Sequence, residues 1–170
     1  PRIHALVYQG GLRIREREAE EVDEEFRYHT YRDYRQLFFN MTKRGVPVVA
    51  YSANPDVVDE YVKTGAMVSP PVEYSYLIES LSRFSWGLAG GPRKHAQWDS
   101  AMPHKLFEYL AAGIPVITFN APEVSEFVDK HCLGVSVNTH DEIKYVFERF
   151  NPDFYRQIVQ KKRYRFTMEN

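Results

Sequence analysis

The chain has 170 residues, 44% of them hydrophobic and 15% aromatic, which is enough for one domain with a sizeable core. A formal net charge of −1 and a pI of about 6.7 disfavour a nucleic-acid partner, and no apolar run reaches the roughly 18 residues that a transmembrane segment needs. The single cysteine, Cys132, cannot form an internal disulfide, which favours a protein of a reducing compartment. A role for Cys132 as a catalytic thiol is the less favoured interpretation.

The chain opens with a predicted strand that ends at paired glycines. Residues 4–9, HALVYQ, are rich in β-forming side chains, and Gly10 and Gly11 follow directly. A block of charged residues at 13–25 then predicts a solvated loop or a frayed helix start. Because the sequence enters a strand almost at once and lacks an initiator Met, we expect it to be cut from a longer protein.

Helices and strands are predicted to alternate along the rest of the chain. Apolar residues at helical spacing, often ended by glycine, indicate the helices, and short apolar runs indicate the strands. Asn54, Asn120 and Thr139 stand at the expected N-caps of three helices. The predicted helices are 31–45, 54–65, 74–84, 103–112, 120–132, 139–150 and 152 to the end, and the further strands are 46–53, 66–72, 85–91, 114–119 and 134–138. This alternation predicts an α/β fold, a doubly wound parallel sheet (Rossmann-like) of about six strands, in one domain over residues 1–170.

Ligands of such sheets bind beyond the carboxyl ends of the strands, where the strand order reverses. Gly10 and Gly11 follow the first strand and would let the backbone approach a phosphate, although a glycine pair also makes an ordinary turn. The sequence contains neither GxGxxG nor GxxxxGK[ST], which disfavours an NAD enzyme or a P-loop NTPase. The loops expected at that edge of the sheet are 10–15, 52–55, 69–73, 90–101 and 120–123.

The helix predicted at 103–112 carries the strongest functional signal. Its expected buried face consists of Leu106, Phe107, Leu110 and Ala111, and the opposite side carries His104, Lys105 and Glu108. A surface ion pair between Lys105 and Glu108 is the simplest interpretation, but a first-turn lysine opposes the helix dipole and the order of the two charges is the less favourable one. An anionic ligand at the helix N-terminus would explain the lysine, and Glu108 would then accept hydrogen bonds from sugar hydroxyls.

The segment PHKLFEYLAAGIPVI, residues 103–117, resembles the carboxy-terminal donor-binding domain of GT-B glycosyltransferases of the family 4 (group 1) retaining type. Those proteins carry P-x-K-L-F-E-Y-x-A-A-G-x-P-V-I, or E-x7-E ahead of A-x-x-x-G-x-P-V. Downstream, SEFVDKHCLGVSV at 125–137 is similar to the family's E-[IV]-V-x5-G-x-x-V, and VYQGGL at 7–12 is similar to its V-G-R-L strand end. The resemblance implies one Rossmann-like half of a GT-B fold.

The resemblance also implies roles for residues at the phosphate end of a nucleotide-sugar site. Glu108 matches the glutamate that binds the ribose, and Gly10 matches the glycine that approaches the phosphates. Gly11 replaces the family's arginine, so Arg13 or Arg15 would have to supply that charge. Lys105, in the P-x-K motif, adds a positive charge at the same place.

Two further pairs of residues are implied for the sugar and the base. Ser100 stands where the first glutamate of E-x7-E would be, and Asp99 lies beside it, so we expect one of them to contact the donor sugar. Pro71 and Val72 lie in the loop where the family's backbone meets the base.

Other polar residues support simpler interpretations. His95 and His104 could be acid–base groups, but loop histidines are more often surface residues. The histidines show no metal-ligand spacing with cysteine or carboxylates, so neither a metal nor another cofactor is expected. The basic segment KKRYRF, residues 161–166, could contact a membrane or a nucleic acid, but a solvated final helix is the better interpretation.

The predicted function is donor binding in a hexosyltransferase-like enzyme of carbohydrate biosynthesis. The enzyme would transfer a sugar from a UDP- or GDP-linked donor to a glycan or lipid-linked acceptor, with retention. The acceptor and the catalytic residues would belong to a domain encoded before Pro1, so we single out no catalytic residue here and expect the chain alone to be inactive. We expect a cytoplasmic location, and peripheral contact with the inner membrane surface is left open for the full-length protein.

Two alternatives remain open at this point. A catalytically silent nucleotide-sugar-binding or partner module is favoured by Ser100 and Gly11, which replace the family's glutamate and arginine. A sugar-nucleotide epimerase would share the architecture, but residues 103–119 match the transferases more closely.

Overall fold

The structure, a computed structural model, describes residues 2–14 and 30–166. Most of the charged block predicted at 13–25, including Arg15, and the last four residues lie outside the described residues. Six strands form one parallel sheet: β1 (Ile3–Gln9), β2 (Val48–Tyr51), β3 (Met67–Ser69), β4 (Phe84–Gly90), β5 (Val116–Phe119) and β6 (Gly134–Val137).

The strand order is β3-β2-β1-β4-β5-β6, so the direction of winding reverses between β1 and β4. At that point Leu6 of β1 pairs with Val48 of β2 on one side and with Trp86 of β4 on the other. All seven residues of β4 and all four of β5 are buried, as expected for central parallel strands covered on both faces. The doubly wound parallel sheet predicted from the sequence is therefore confirmed.

Eight helices pack around the sheet in the described part of the chain. They are α1 (Arg35–Lys43), α2 (Val58–Val62), α3 (Tyr74–Ser82), α4 (Ala96–Asp99), α5 (His104–Ala111), α6 (Pro122–His131), α7 (His140–Arg149) and α8 (Pro152–Lys162). Short 3-10 turns cover Thr30–Arg32, Pro55–Val57 and Arg163–Arg165. Every predicted helix is present, and α4 adds one turn of helix inside the loop predicted at 92–101.

The predicted N-caps are confirmed at two of three positions. The side chain of Asn54 accepts a hydrogen bond from the Asp56 amide, and that of Thr139 accepts one from the Glu142 amide. The cap expected from Asn120 is wrong, because that residue adopts a left-handed conformation (φ 52°) and Ala121 takes the N-cap of α6.

Buried tyrosine hydroxyls tie the ends of the central strands to the helices around them. The hydroxyl of Tyr109, in α5, accepts from the Gln9 amide at 2.9 Å and donates to the Val7 carbonyl at 3.2 Å. The hydroxyl of Tyr34 donates to the Gly90 carbonyl at 2.6 Å. A buried hydroxyl without such a partner would cost about 1–3 kcal/mol, so these bonds hold the carboxyl edges of β1 and β4 in place.

Candidate functional site

A cavity of about 380 Å³ lies at the carboxyl end of β1, where the winding of the sheet reverses. Its lining comes from the end of β1, the Thr30–Arg32 turn, α4 and the N-terminal half of α5. The lining residues are Tyr8, Gln9, Gly10, Gly11, Tyr31, Arg32, Gln97, Trp98, Ala101, Met102, Pro103, His104, Lys105 and Glu108. We call this space the edge cavity.

Lys105 lies against the sheet and not on the open side of α5, contrary to the prediction. It is only 8% exposed, and its Nζ lies 3.9 Å from the centroid of the Tyr8 ring. The reason is its position one turn before Tyr109, on the same stripe of the helix. Tyr109 packs onto β4 at Gly87, where an added Cβ would lie 2.5 Å from the Tyr109 ring.

The predicted buried face of α5 is therefore only half right. Leu106 and Leu110 are buried as expected, whereas Phe107 and Ala111 are half-buried. Tyr109 and Lys105 complete the buried face in their place.

Burial also changes the charge of the lysine. The pKa of Lys105 is lowered to about 7, chiefly by desolvation and also by the nearby Arg32, while Glu108 acts to raise it. Across residues 2–14 and 30–166, no carboxylate forms an ion pair with Lys105, so the predicted alternative of a Lys105–Glu108 surface pair is wrong. The edge cavity thus contains a buried amine without a counter-ion.

Glu108 stands beside the same cavity and is half-buried. Its Oε2 is buried and has no hydrogen-bond partner among the described residues. Burial raises the pKa of Glu108, while His104 and Lys105 act to lower it. An unpartnered carboxylate oxygen costs free energy unless a ligand supplies a donor, which makes Glu108 a candidate acceptor for a hydroxyl group.

Both predicted glycines line the edge cavity. Gly10 has φ +143°, and an added Cβ there would lie 3.2 Å from the Tyr8 hydroxyl and 3.3 Å from Nζ of Lys105. A Cβ on Gly11 would lie 3.3 Å from Nη1 of Arg32. Gly10 therefore leaves room for the lysine. Arg32, which was not among the predicted site residues, brings its guanidinium to Gly11 from the Thr30–Arg32 turn.

Five other predicted site residues do not line the edge cavity. Arg13, Asp99, Ser100 and Pro71 are exposed, and Val72 is half-buried in the loop before α3. The side chain of Arg13 thus lies outside the cavity, but its backbone is held in place, because its carbonyl accepts a hydrogen bond from the Tyr61 hydroxyl at 2.8 Å. Gln97, one turn of α4 away from Ser100, lines the cavity where a sugar contact was expected.

A second, mostly apolar groove of about 350 Å³ adjoins the edge cavity. The two spaces share Met102, His104 and Glu108. Its remaining lining residues are Tyr74, Ile78, Phe107, Ala111 and Phe166. We call it the apolar groove, and the shared Glu108 stands between it and the edge cavity.

The remaining polar candidates have structural contacts. Nδ1 of His95 accepts from the Gln97 amide at 3.1 Å and caps α4, while its ring stacks on Tyr31. In the basic final segment, Lys162 donates to the His131 carbonyl at 2.7 Å and Arg163 donates to the Ala111 carbonyl at 3.0 Å. Both cations thus satisfy carbonyls at the ends of neighbouring helices.

Over 2–14 and 30–166 there is no group of three or more His, Cys, Asp or Glu side chains arranged to hold a metal ion. Within the same ranges, every helix is too short or too polar to cross a bilayer.

Residues 35–167 match the family model of the glucosyltransferase 3-like C-terminal domain. No curated protein sequence matches the chain significantly. Among solved structures, AviGT4, a glycosyltransferase involved in avilamycin A biosynthesis, is 14% identical with a TM-score of 0.64 over 94% of this chain and 47% of its own. An O-GlcNAc transferase mutant of Thermobaculum terrenum is 11% identical with a TM-score of 0.62, over 99% of this chain and 34% of its own.

A third structure, WaaG, a glycosyltransferase involved in lipopolysaccharide biosynthesis, is 11% identical with a TM-score of 0.56, over 98% of this chain and 43% of its own. The chain spans less than half the length of these three proteins. At such identities the likeness shows the fold alone, and it confirms the Rossmann-like α/β fold that the resemblance implied.

Proposed function

Because this chain belongs to the family of glucosyltransferase 3-like C-terminal domains, we propose that it binds the nucleotide-linked sugar donor of a glycosyltransferase. The observation that carries the proposal is the edge cavity, which is lined by Lys105 and Glu108. Within the described part of the chain, the buried Lys105 amine forms no ion pair and Oε2 of Glu108 has no hydrogen-bond partner. A sugar nucleotide offers what both groups lack, a negatively charged diphosphate and donor hydroxyls.

The diphosphate would lie at the Gly10 end of the cavity. The N-cap of α5 is Pro103, which makes no side-chain cap, so the amides of His104 and Lys105 would serve the phosphate oxygens, while the Leu106 amide donates to the Pro103 carbonyl at 3.0 Å. Lys105 and Arg32 add positive charge at the same end, and the missing side chain of Gly10 lets the phosphates approach the backbone.

The nucleoside would extend from the edge cavity into the apolar groove. Glu108 lines both spaces, so its free oxygen can accept hydrogen bonds from the ribose hydroxyls. The groove supplies the rings of Tyr74 and Phe107 and the side chain of Ile78 as an apolar surface for a uracil or guanine base. Pro71 and Val72, in the loop that leads to Tyr74, stay predicted backbone contacts to that base.

The sugar would lie towards α4, with Gln97 and Met102 as its nearest side chains. The predicted contact of Asp99 or Ser100 requires α4 to turn, since both residues are exposed. Arg13, also exposed, stays a predicted second cation for the phosphates.

The chemistry of this domain would be electrostatic. The α5 amides, Lys105 and Arg32 would stabilise the negative charge that develops on the diphosphate as it leaves the sugar. Transfer would need no metal, and retention is supported by the resemblance of residues 103–134 to retaining enzymes. The acceptor and the catalytic side chains would come from a second domain, so we expect this chain alone to bind the donor weakly and to transfer little or no sugar.

Isothermal titration of the chain with UDP and GDP tests the donor site. We expect one of the two to bind, and Glu108→Gln to weaken that binding roughly tenfold, because one charge-assisted hydrogen bond is worth about 1.4 kcal/mol or more. Glu123→Gln, at an exposed position of α6, is the matched control and should bind like the wild type. Failure of both nucleotides to bind, or an unchanged affinity in Glu108→Gln, would contradict the proposal.

One observation also favours a catalytically silent binding module: none of the described residues that line the α4 end of the edge cavity is a carboxylate. Transfer assays on the longer protein separate the two functions, because only a transferase moves the sugar to an acceptor. Mass spectrometry of the free sugar nucleotide tests the epimerase alternative, since an epimerase changes the sugar without any acceptor.

A further inference from the structure

Lys105 is held away from solvent by aromatic rings. Its Nζ lies 3.9 Å from the centroid of Tyr8, 5.5 Å from that of Tyr34 and 5.6 Å from that of Trp98, which we call the aromatic cage. Ring faces attract an ammonium group, but they replace only part of the hydration that burial removes. The amine therefore retains a need for negative charge that these rings do not meet.

Among residues 2–14 and 30–166, the other titratable groups around the amine do not meet this need. Burial raises the pKa values of Tyr8 and Tyr34, so both hydroxyls stay neutral at physiological pH. The guanidinium of Arg32 faces the same cavity and repels a charged lysine. On α5 itself, Glu108 attracts the charge without forming an ion pair, and His104 is exposed at the cavity rim.

We propose that donor binding is coupled to protonation of Lys105: the diphosphate draws one proton from solvent onto the amine, so affinity for the donor falls as the pH rises above neutral. The inference rests on the proposed donor site and adds a pH-dependent control to it. The proton comes from the buffer and forms the third N–H bond of an ammonium group, and no other bond is made or broken.

The direction of the effect follows from proton linkage. Since burial lowers the pKa of the free amine to about 7, most of it is neutral at pH 8. A diphosphate between Lys105 and Arg32 favours the charged form and raises the pKa in the complex. At pH values between these two pKa values, the complex carries more protons than the free protein. Donor binding therefore takes up protons, and the affinity for the donor falls as the pH rises.

Titration calorimetry of the 170-residue chain with UDP-glucose and GDP-mannose measures this coupling. The phosphates of these donors carry no group that titrates near neutral pH, whereas the terminal phosphate of UDP does. We expect uptake of roughly nine tenths of a proton at pH 8, obtained from titrations in HEPES and in Tris, which differ in ionisation enthalpy. The dissociation constant of the tighter donor should rise roughly eightfold from pH 6.5 to pH 8.

The variant Lys105→Met removes the amine and keeps a side chain of similar length. It should bind the donor more weakly at pH 6.5, with no proton uptake and no pH dependence. Lys161→Met, at an exposed position of α8, is the control and should behave like the wild type. A pH dependence that persists in Lys105→Met would overturn the inference.

NMR titration of lysine ¹³Cε signals gives a second readout on the wild-type chain. We expect one lysine to titrate near pH 7 and to move to a higher pKa when UDP-glucose or GDP-mannose is bound. A spectrum in which all lysines titrate near their ordinary pKa would overturn the inference even if Lys105→Met does not fold. Donor binding of equal affinity at both pH values would overturn the coupling alone, whereas no binding at any pH would overturn the donor site as well.

Discussion

Two basic side chains are buried in the described part of the chain, Lys105 at the carboxyl edge of the sheet and Arg156 at its amino edge. They are 8% and 6% exposed. Arg156, in α8, donates to the Ser82 carbonyl at 3.1 Å and to the Phe84 carbonyl at 2.6 Å, although its Nε has no partner among the described residues. The amine of Lys105 lies among three aromatic rings and forms no ion pair with any described carboxylate.

This difference separates a structural cation from one that can serve a ligand. The acceptors of Arg156 end α3 and begin β4, so its guanidinium joins α8 to the sheet. Burial lowers the pKa of Arg156, and Arg2 lowers it further, but an arginine stays charged at physiological pH. A lysine responds to burial by losing its proton, which leaves Lys105 free to regain one when an anion arrives.

The largest expected effect is the loss of stability in Arg156→Met. Two backbone carbonyls would lose a charged donor in a buried place, which we expect to lower the free energy of unfolding by about 3 kcal/mol. Urea denaturation measures the change. Because Arg156 lies at the opposite edge of the sheet, the folded variant should keep its affinity for the nucleotide, and a large loss of affinity would break the distinction.

Lys105→Met should have the opposite effect on stability. Between pH 7 and the ordinary lysine value of 10.5, the unfolded chain binds more protons than the folded one, so wild-type stability rises with pH through this window. The variant lacks this dependence, and we expect it to be more stable than the wild type by about 2 kcal/mol at pH 7, with a smaller gain at pH 9. Urea denaturation midpoints of the wild type and the variant at pH 7 and pH 9 test whether the variant is the more stable of the two. A destabilised variant would show that the amine makes a favourable contact in the folded wild type.

Gly10→Ala tests the space that the amine needs. The residue has φ +143°, and the new Cβ would lie 3.3 Å from Nζ of Lys105 and 3.2 Å from the Tyr8 hydroxyl. We expect a loss of stability of about 1–2 kcal/mol from backbone strain, together with weaker nucleotide binding. Gly45→Ala is the control, because it has a similarly positive φ of +82° but nothing within 4 Å of the added atom. Equal losses of affinity in both variants would contradict a role for Gly10 in the site.

The smallest expected effect is that of Tyr8→Phe. The ring below Lys105 remains, but the hydrogen bond from the hydroxyl to the Gly11 carbonyl, 3.1 Å long, is lost. We expect a loss of stability of about 1 kcal/mol by urea denaturation and an unchanged lysine titration by NMR. A large shift of the Lys105 pKa in this variant would show that the hydroxyl, and not the ring, sets the charge of the amine.

The sequence predicted the architecture well because its signals are local. Central strands such as β4 and β5 are continuous apolar runs, and the helices between them show the spacing of one buried face. A four-residue helix such as α4 is too short to show any periodicity, so the loop at 92–101 gave no sign of it.

The site was predicted only in part because its geometry depends on contacts between distant segments. Helical spacing grouped Lys105 with the exposed residues, since nothing in the local sequence shows that Tyr109 packs onto Gly87 and turns the same stripe inward. Arg32 was missed for a similar reason, because it lies in the helix predicted at 31–45 and nothing in the local sequence shows that it reaches Gly11. Motif spacing placed Asp99 and Ser100 near the sugar, but α4 directs Gln97 to the cavity.

The attachment of α5 through Tyr109 limits how the edge cavity can change its width. The hydroxyl of this residue is bonded to the main chain of β1, and its ring fills the space above Gly87 in β4. Sliding α5 along the sheet would break both hydrogen bonds and open a void at the glycine, so this wall of the cavity is immobile relative to the central strands. Closure around a ligand must therefore come from the opposite wall, formed by the turn at Arg32 and the single helical turn of α4.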